Sequence, residues 1–373
     1  MKAWAVLPIL LIQTLLFLAH WFVYFTFIAF WPFLGPAEVA DLRAALFVLA
    51  FSFVFVSLLT FRFSNFAVRF VYWIAAIWLG FLNYLFWASC LAWLAWFALC
   101  IVPLPANPSA IRPLLAGILL ALAALIGLFG LVNAQIIRVR RIAIHLANLP
   151  ASWRGRRAVV FSDLHLGSIN GIRFCRRMAT LAASFNPDIA FLPGDLFDGT
   201  KCNLDRLLAP FNQLAPPHGI YFSTGNHEEF HDSAQYLEAI SRAGIRVLAN
   251  QLVTVDGLQI AGVLYHDSSS PLHMKAAIDG LRLDRARASI LLNHAPTRLP
   301  IVEQAGFNLQ LSGHTHGGQF FPFTWLTSRI YGKFTYGLER FGALQVFTST
   351  GCGSWGPPMR IGTRPEMVLI EFA

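Results

Sequence analysis

Four stretches of the chain, residues 3–37, 44–61, 70–111 and 113–137, contain no Asp, Glu, Lys or Arg. A helix rises about 1.5 Å per residue, so roughly 20 apolar residues cross the hydrocarbon of a bilayer. The backbone inside lipid must satisfy its own hydrogen bonds, which leaves helices as the form for runs of this kind. The pattern predicts spans over residues 7–30, 44–61, 70–102 and 113–133. Trp31-Pro32 closes the first, and Pro103, Pro105 and Pro108 close the third, because proline removes a donor and clashes with the preceding turn. The first run is too long for a cleaved signal, shows no small-residue cleavage pattern, and is followed by further spans. The third would make a helix of about 50 Å, too long for one upright span and too short for two. One long or tilted helix is predicted there, with Gly80 and Asn83 as the candidate break points.

With four spans, Lys2, Arg62, Arg69, Arg138, Arg140 and Arg141 fall on one side of the membrane, and Arg43 and Arg112 on the other. The excess of basic residues marks the cytoplasmic side. The chain is therefore expected to be a multi-pass protein of the cell (inner) membrane with its C-terminal part in the cytoplasm. No charged residue lies within a span, which argues against an ion pathway or proton relay. His20 and Asn83, the strongly polar residues there, read as helix-packing groups. The expected division is a transmembrane region at 1–134, acting as an anchor, and a globular domain at 135–373. Charged residues make up 13% of the chain, against about 25% in an average globular protein. The deficit sits in the first part, for residues 135–373 carry 23 basic and 17 acidic side chains. A net charge of +9 favours an anionic lipid or substrate as partner. No Arg/Lys stripe with interleaved aromatics is present, so no nucleic-acid partner is expected. Five scattered cysteines without a CxxC pair suggest free thiols rather than a disulfide frame or a structural zinc site.

Beyond residue 136 short apolar runs alternate with amphipathic stretches, the texture of an α/β domain. Strands are predicted over 137–146, 158–162, 189–192, 219–224, 259–263, 290–292, 308–311, 343–348 and 367–372. Helices are predicted near 172–184, 204–214, 233–243, 271–281 and 297–304. The chemistry lies where strands end. Five apolar runs lead directly into Asp163-Leu164-His165, Gly194-Asp195-Leu196-Phe197-Asp198, Gly225-Asn226-His227-Glu228, Asn293-His294 and Gly313-His314-Thr315-His316. The carboxyl ends of strands in an open α/β sheet are where loops converge to build a site. Each motif alone would pass for a turn; five in series deliver carboxylate, amide and imidazole groups to one edge. Glycines among them let the backbone turn and approach closely without a side-chain clash.

This series, DxH, GDxxD, GNHE, NH and GHTH, resembles the calcineurin-like metallophosphoesterase superfamily over residues 155–373. The run from Gly313 to Gln319 is similar to a narrower branch that includes UDP-2,3-diacylglucosamine pyrophosphatases and phosphodiesterases of the YkuE and YaeI type. A closing motif looks present in Thr350-Gly351-Cys352-Gly353, Pro358-Met359-Arg360-Ile361-Gly362 and Pro365-Glu366; branch members often have Leu where Cys352 stands. The resemblance implies a four-layer αββα sandwich following the α-helical transmembrane region. It implies two divalent metal ions, one held by Asp163, His165, Asp195 and His316, the other by the bridging Asp195 with Asn226, His294 and His314. Oxygen and imidazole donors together suit Mn²⁺, Fe or Zn²⁺, with manganese preferred. Such a pair activates water for in-line attack on phosphorus and neutralises charge on the phosphoryl oxygens. His227, beside ligand Asn226, would be the general acid for the leaving group, with Glu228 or Asp198 orienting imidazoles from behind.

Three features direct the expected substrate to the membrane. The anchor holds the domain at one leaflet. Phe320, Phe321, Phe323, Trp325, Ile330, Tyr331 and Phe334, with Arg329 and Lys333 interspersed, read as a packed loop hairpin or as an interfacial element, Phe320, Phe321 and Trp325 being the lipid-contact candidates. Arg154, Arg156, Arg157, Arg173, Arg176 and Arg177 flank the first metal motif and would suit a diphosphate or anionic headgroup. The expected activity is hydrolysis of a phosphodiester or pyrophosphate bond in a lipid or lipid-linked nucleotide such as UDP-2,3-diacylglucosamine. The alternatives are another lipid headgroup, an extracytoplasmic substrate, or a non-catalytic scaffold on the same fold.

Overall fold

The computed structural model describes residues 6–101, 108–230 and 233–373; Lys2 of the charge count, and Val102, Pro103 and Pro105 at the end of the third expected span, lie outside them. The chain divides into two compact units, Met1–Val132 with Gly356–Met359, and Asn133–Trp355 with Arg360–Ala373. The first is built on α1 (Val6–Phe30), α2 (Pro36–Thr60), α3 (Phe66–Ile101) and α4 (Pro108–Ala134), four helices among the described residues long and apolar enough to cross a membrane. α2 begins eight residues before the expected span. The Gly35 N–H donates to Glu38 Oε2 at 2.6 Å and Pro36 occupies the first turn, where its missing N–H costs nothing. α3 runs unbroken through Gly80 and Asn83 for 36 residues, about 54 Å. His20 packs as expected: its Nε2 accepts from Trp78 Nε1 at 2.8 Å and its Nδ1 meets Leu16 O at 2.7 Å. Arg112 lies over the rings of Phe30 and Trp96, at 4.9 and 5.2 Å from their centroids, a cation–π arrangement that holds a charge among apolar side chains.

The second unit contains two six-stranded sheets. The strands are β1 (Arg138–Ile144), β2 (Arg157–Val160), β3 (Ile189–Pro193), β4 (Ile220–Ser223), β5 (Arg246–Val247), β6 (Gln251–Val255), β7 (Leu258–Gly262), β8 (Ser289–Leu292), β9 (Leu309–Ser312), β10 (Gly337–Phe341), β11 (Leu344–Thr348) and β12 (Glu366–Phe372). One sheet has the order β1-β12-β2-β3-β4-β5 and the other β10-β11-β9-β8-β7-β6. The central pairs β2·β3, β3·β4, β7·β8 and β8·β9 are parallel. Helices α5 (Ile172–Ala183), α6 (Leu204–Leu208), α7 (Ala234–Arg242), α8 (Tyr265–Ser269), α9 (Pro271–Gly280), α10 (Leu299–Ala305) and α11 (Phe323–Tyr331) connect them.

Side chains alternate faces along a strand, and here both faces are apolar. Val159, Phe161, Ala190, Leu192 and Phe222 pack outward with Met178 of α5, Leu208 of α6 and Ile240 of α7. Val160, Ile189, Phe191 and Ile370 point the other way and meet Ile260, Ile290, Leu292 and Leu311 of the second sheet. On that sheet's far face Ala261, Leu291 and Val346 pack with Met274 of α9 and Val302 of α10. Three cores between four layers make the αββα sandwich. All nine expected strands are present within two residues at each end. β6 and β10 escaped notice as partly exposed edge strands, and β5 as a two-residue strand. α11 stands where a packed loop hairpin or an interfacial element was expected, and no residue in it is buried.

Candidate metal centre

All five strand-end motifs follow parallel strands, namely β2, β3, β4, β8 and β9, and the two sheets bring their side chains to one place. The backbone bends sharply to do so. Asp163, His165, Asp195, His314 and His316 have φ of 54°, 47°, 50°, 70° and 49°, the left-handed region that costs a non-glycine residue about 1–2 kcal/mol. Strain of this kind persists where the surrounding structure fixes it, and it marks functional sites. Neighbouring glycines make the approach feasible. A Cβ on Gly313 would stand 2.1 Å from Asp163 Oδ2, and one on Gly225 2.1 Å from Asp195 Oδ1. Gly313→Ala is therefore expected to displace the Asp163 carboxylate and lower bound metal, measured by elemental analysis of the purified chain; full metal content would show that the carboxylate can move aside.

Two clusters of donor atoms, Asp163 with His165 and His316, and Asp195 with His294 and His314, are joined by a third that overlaps both, His165 with Asp195 and His227. His165 Nε2 and His316 Nε2 are 3.0 Å apart, and His316 Nε2 is 3.6 Å from Asp163 Oδ1. Asp195 Oδ2 stands between the clusters, 3.2 Å from His294 Nε2 and 3.8 Å from His165 Nε2. His314 Nδ1 lies 3.0 Å from Asn226 Oδ1. His294 bonds Pro193 O at 2.7 Å through Nδ1, which turns its other nitrogen toward Asp195. Burial, then the neighbouring His227 for His165 and Arg360 for His316, holds both rings well below the ordinary imidazole value. Burial and His294 push His314 down to about 4. Burial raises Asp163 to about 6. For Asp195 burial acts upward, but His294 and His227 outweigh it and hold the carboxyl well below its usual range. For His294 burial acts downward, yet Asp195 raises it to about 10.

Burial holds His165, His314 and His316 in the neutral form, which offers a ring lone pair to a cation, while Asp195 outweighs burial and raises His294. Asp163 Oδ2 is fully buried and finds no hydrogen-bond partner among the described residues, a costly condition unless a cation takes that place. The donor set thus fits a pair of divalent ions, and its mixture of oxygen and nitrogen fits Mn²⁺, Fe or Zn²⁺ equally.

The residues behind the cluster act differently from expectation. Among the described residues Glu228 hydrogen-bonds main-chain groups rather than an imidazole. Its buried carboxylate accepts from the N–H groups of Asp195 (3.0 Å), Phe197 (2.9 Å) and Gly225 (2.8 Å), so it clamps the two metal-motif loops together. Burial first, then Asp195, pushes its carboxyl up to about 8. Glu228→Ala would leave three buried N–H groups unpaired and is expected to cost roughly 3 kcal/mol or more, read by thermal or denaturant unfolding of the α/β unit. Asp198 accepts from Ser168 N, Thr200 N and Thr200 Oγ1; what reaches His227 is its main-chain carbonyl, 3.0 Å from Nδ1. Phe320 is 5% exposed and packs edge-on against Phe323, which withdraws it from any lipid surface, while Phe321 and Trp325 are 46% and 56% exposed. Arg156 and Arg157 sit at the start of β2, at the opposite end of that strand from Asp163; Arg156 pairs with Asp256 at 3.2 Å.

Sequence reasoning passed over three groups. Arg360 is fully buried and its guanidinium donates to His316 O and Thr350 O at 2.8 Å, lies 2.8 Å from His316 Nδ1 and also contacts Gly353 O. It ties the closing motif to a metal-site histidine. Gln319 holds the same loop, exchanging two hydrogen bonds with the backbone of Trp355 at 3.0 and 3.1 Å. Phe230 and Trp355 set their rings 4.5 and 6.2 Å from that of His227. An arginine and a glutamine inside quoted motifs were the available signals; for Phe230 there was none.

The calcineurin-like phosphoesterase family profile matches residues 156–318. A transmembrane protein with metallophosphoesterase domain from Danio rerio is 32% identical over 270 residues, 67% of this chain and 61% of that one. The metallophosphoesterase YkuE of Bacillus subtilis is 26% identical over 243 residues, 60% of this chain and 81% of that one. The chain spans 63% and 61% of the length of the first curated relatives it matches. An Aquifex aeolicus metallophosphoesterase is 31% identical over 259 residues, 67% of this chain and 97% of that one. A relative spanned almost end to end at that identity goes beyond shared motifs: the chain belongs to the calcineurin-like metallophosphoesterase family.

Proposed function

We propose that the chain is a membrane-anchored, two-metal phosphoesterase acting on a lipid or lipid-linked phosphoester. The observation that carries this is the convergence of five strained residues on one buried cluster of carboxylates and imidazoles. Asp163, His165 and His316 would hold one ion, Asn226, His294 and His314 the other, with Asp195 shared. Bound there, two divalent ions supply Lewis-acid stabilisation of phosphoryl charge and make water a competent nucleophile near neutral pH. Asn226 contributes an uncharged oxygen to the cluster. His227 acts on the leaving group: Asp198 O takes its Nδ1–H, so the proton that moves is the one on Nε2, 3.9 Å from Asp195 Oδ2. Phe230 and Trp355, 52% and 60% exposed beside that ring, favour a leaving group with an apolar or planar body.

Membrane substrates are supported by the four span-capable helices and by α11. Phe321, Phe323, Trp325, Leu326 and Ile330 are exposed on and beside it, with Arg329 stacked on Trp325 at 5.5 Å, a mixture that suits a lipid interface. Arg173, Arg176 and Arg177 of α5 line a groove floored by Ile137, Val139 and Leu181, which suits an anionic headgroup. The test is purified full-length chain with Mn²⁺, Fe²⁺ or Zn²⁺, assayed against nucleotide and lipid phosphoesters including UDP-2,3-diacylglucosamine. Metal-dependent turnover that is faster on the amphiphilic esters is expected; no turnover with any metal would reject the hydrolase reading.

The active site is proposed to face the cytoplasm, where nucleotide-activated lipids are assembled. In a Cys-free background, single cysteines replacing Ala37 and Lys275, both exposed, report the two sides. An impermeant thiol reagent on intact cells is expected to label position 37 only, with both labelled after permeabilisation. Labelling at 275 in intact cells would move the substrate outside the cytoplasm.

A further inference from the structure

A second group of ligand-capable residues lies apart from the metal cluster, at the junction of α8 and α9. One ring nitrogen from each of His266 and His273 and a carboxylate oxygen of Asp267 lie within 4.8 Å of one another, and the two rings are 5.9 Å apart. We infer that His266, Asp267 and His273 form a third metal site, selective for a borderline ion such as Zn²⁺ or Cu²⁺ and acting on the wall of the active site.

The framework for such a site is already fixed. Asn250 Nδ2 donates to Asp267 Oδ2 at 2.6 Å, and Asn250 Oδ1 itself accepts from Leu264 N at 3.0 Å, so the carboxylate is oriented as metal-binding carboxylates are by their outer partners. His266 is held through its main chain, its N–H donating to Glu229 Oε2 at 2.7 Å and its carbonyl accepting from Ser269 Oγ at 2.6 Å. Ser270 breaks the helix between α8 and α9, which lets a residue seven positions on come back beside His266. Both imidazoles are exposed, so small rotations of two free rings close the gap around an ion. Two nitrogens and one oxygen favour Zn²⁺ or Cu²⁺ over the hard ions Mg²⁺ and Ca²⁺, which prefer oxygen. Three protein ligands leave a coordination position to solvent.

The location gives the site a consequence. Tyr265, next to His266, places its ring 5.8 and 5.9 Å from those of His294 and His314. Its N–H reaches Thr224 Oγ1 at 2.9 Å and Glu229 Oε1 at 3.0 Å, and Glu229 directly follows the Gly225–Glu228 motif. An ion across α8 and α9 therefore stiffens the segment that covers one side of the metal cluster.

The experiment uses full-length chain in detergent and Zn²⁺ alone. After equilibration at micromolar Zn²⁺, elemental analysis is expected to give three ions per chain for the native protein and two for His273→Ala and for His266→Ala. Control His145→Ala, at an exposed histidine elsewhere, should keep three. With Cu²⁺ alone the native protein should likewise bind one ion more per chain than either variant. The same stoichiometry in the native protein and in both variants overturns the third site. Fewer than two in every protein tested would instead count against the binuclear reading, and the site stands apart from that reading because the two variants change no residue of the cluster.

Discussion

Asp195→Ala is expected to abolish hydrolysis and to leave bound metal well below two per chain. One carboxylate stands at the junction of both donor clusters, with Oδ2 at 3.2 Å from His294, 3.8 Å from His165 and 3.9 Å from His227. Its other oxygen accepts the His227 N–H at 3.0 Å, so the same side chain fixes the backbone that carries Asn226 and His227. Alanine removes the counter-charge for His294 and leaves that N–H unpaired in a buried place, where each lost partner costs about 1–3 kcal/mol. Loss of a general-acid contact alone would spare the metals; loss of a shared ligand spares neither. Activity should fall by about 10³ or more, since two-metal charge stabilisation is among the larger contributions such enzymes make. Elemental analysis beside a rate measurement decides the matter. Full metal occupancy with near-native turnover would remove the shared-ligand assignment and with it the two-metal proposal.

The positions of β2, β3, β4, β8 and β9 could be read from the chain because each is a mainly apolar run, buried throughout apart from Arg157 at the start of β2, and each ends at a residue whose type has little reason to follow such a run by chance. Both faces of these strands pack, so the signal was hydrophobic continuity rather than alternation. Roles one layer further back were harder. Glu228 and Asp198 were legible as acidic residues beside metal motifs, but sequence cannot tell a carboxylate that orients an imidazole from one that collects three main-chain N–H groups. Arg360 lies 44 positions from His316, and only the return of the chain past β11 brings the two together. The arginines at 154–157 look adjacent to Asp163 in sequence, yet a strand carries them to its other end: four extended residues span about 13 Å. Phe320 failed as a lipid-contact candidate for a similar reason. Composition identifies an aromatic cluster, and only packing decides which ring faces inward.

His227 should behave differently from every ligand. His227→Asn is expected to retain both metals and to lose roughly 10²–10⁴ in turnover, the usual range for removal of a general acid. The ring is 4% exposed, tied at Nδ1 to Asp198 O, and it stacks edge-on against His165 with centroids 4.6 Å apart. It thus has one nitrogen committed to the backbone and one facing the cluster, so the reacting proton has a single place to sit. The loss should depend on the ester. A p-nitrophenolate leaving group needs little protonation and should lose far less than an alkoxide, which must take a proton as the P–O bond breaks. The comparison separates two roles that a single rate cannot. If His227 serves only to stabilise charge on the phosphoryl oxygens, both esters feel its loss alike, because that charge develops whatever group departs. An equal fall on good and poor leaving groups, with metal content intact, would therefore reassign the residue from proton donor to transition-state stabiliser.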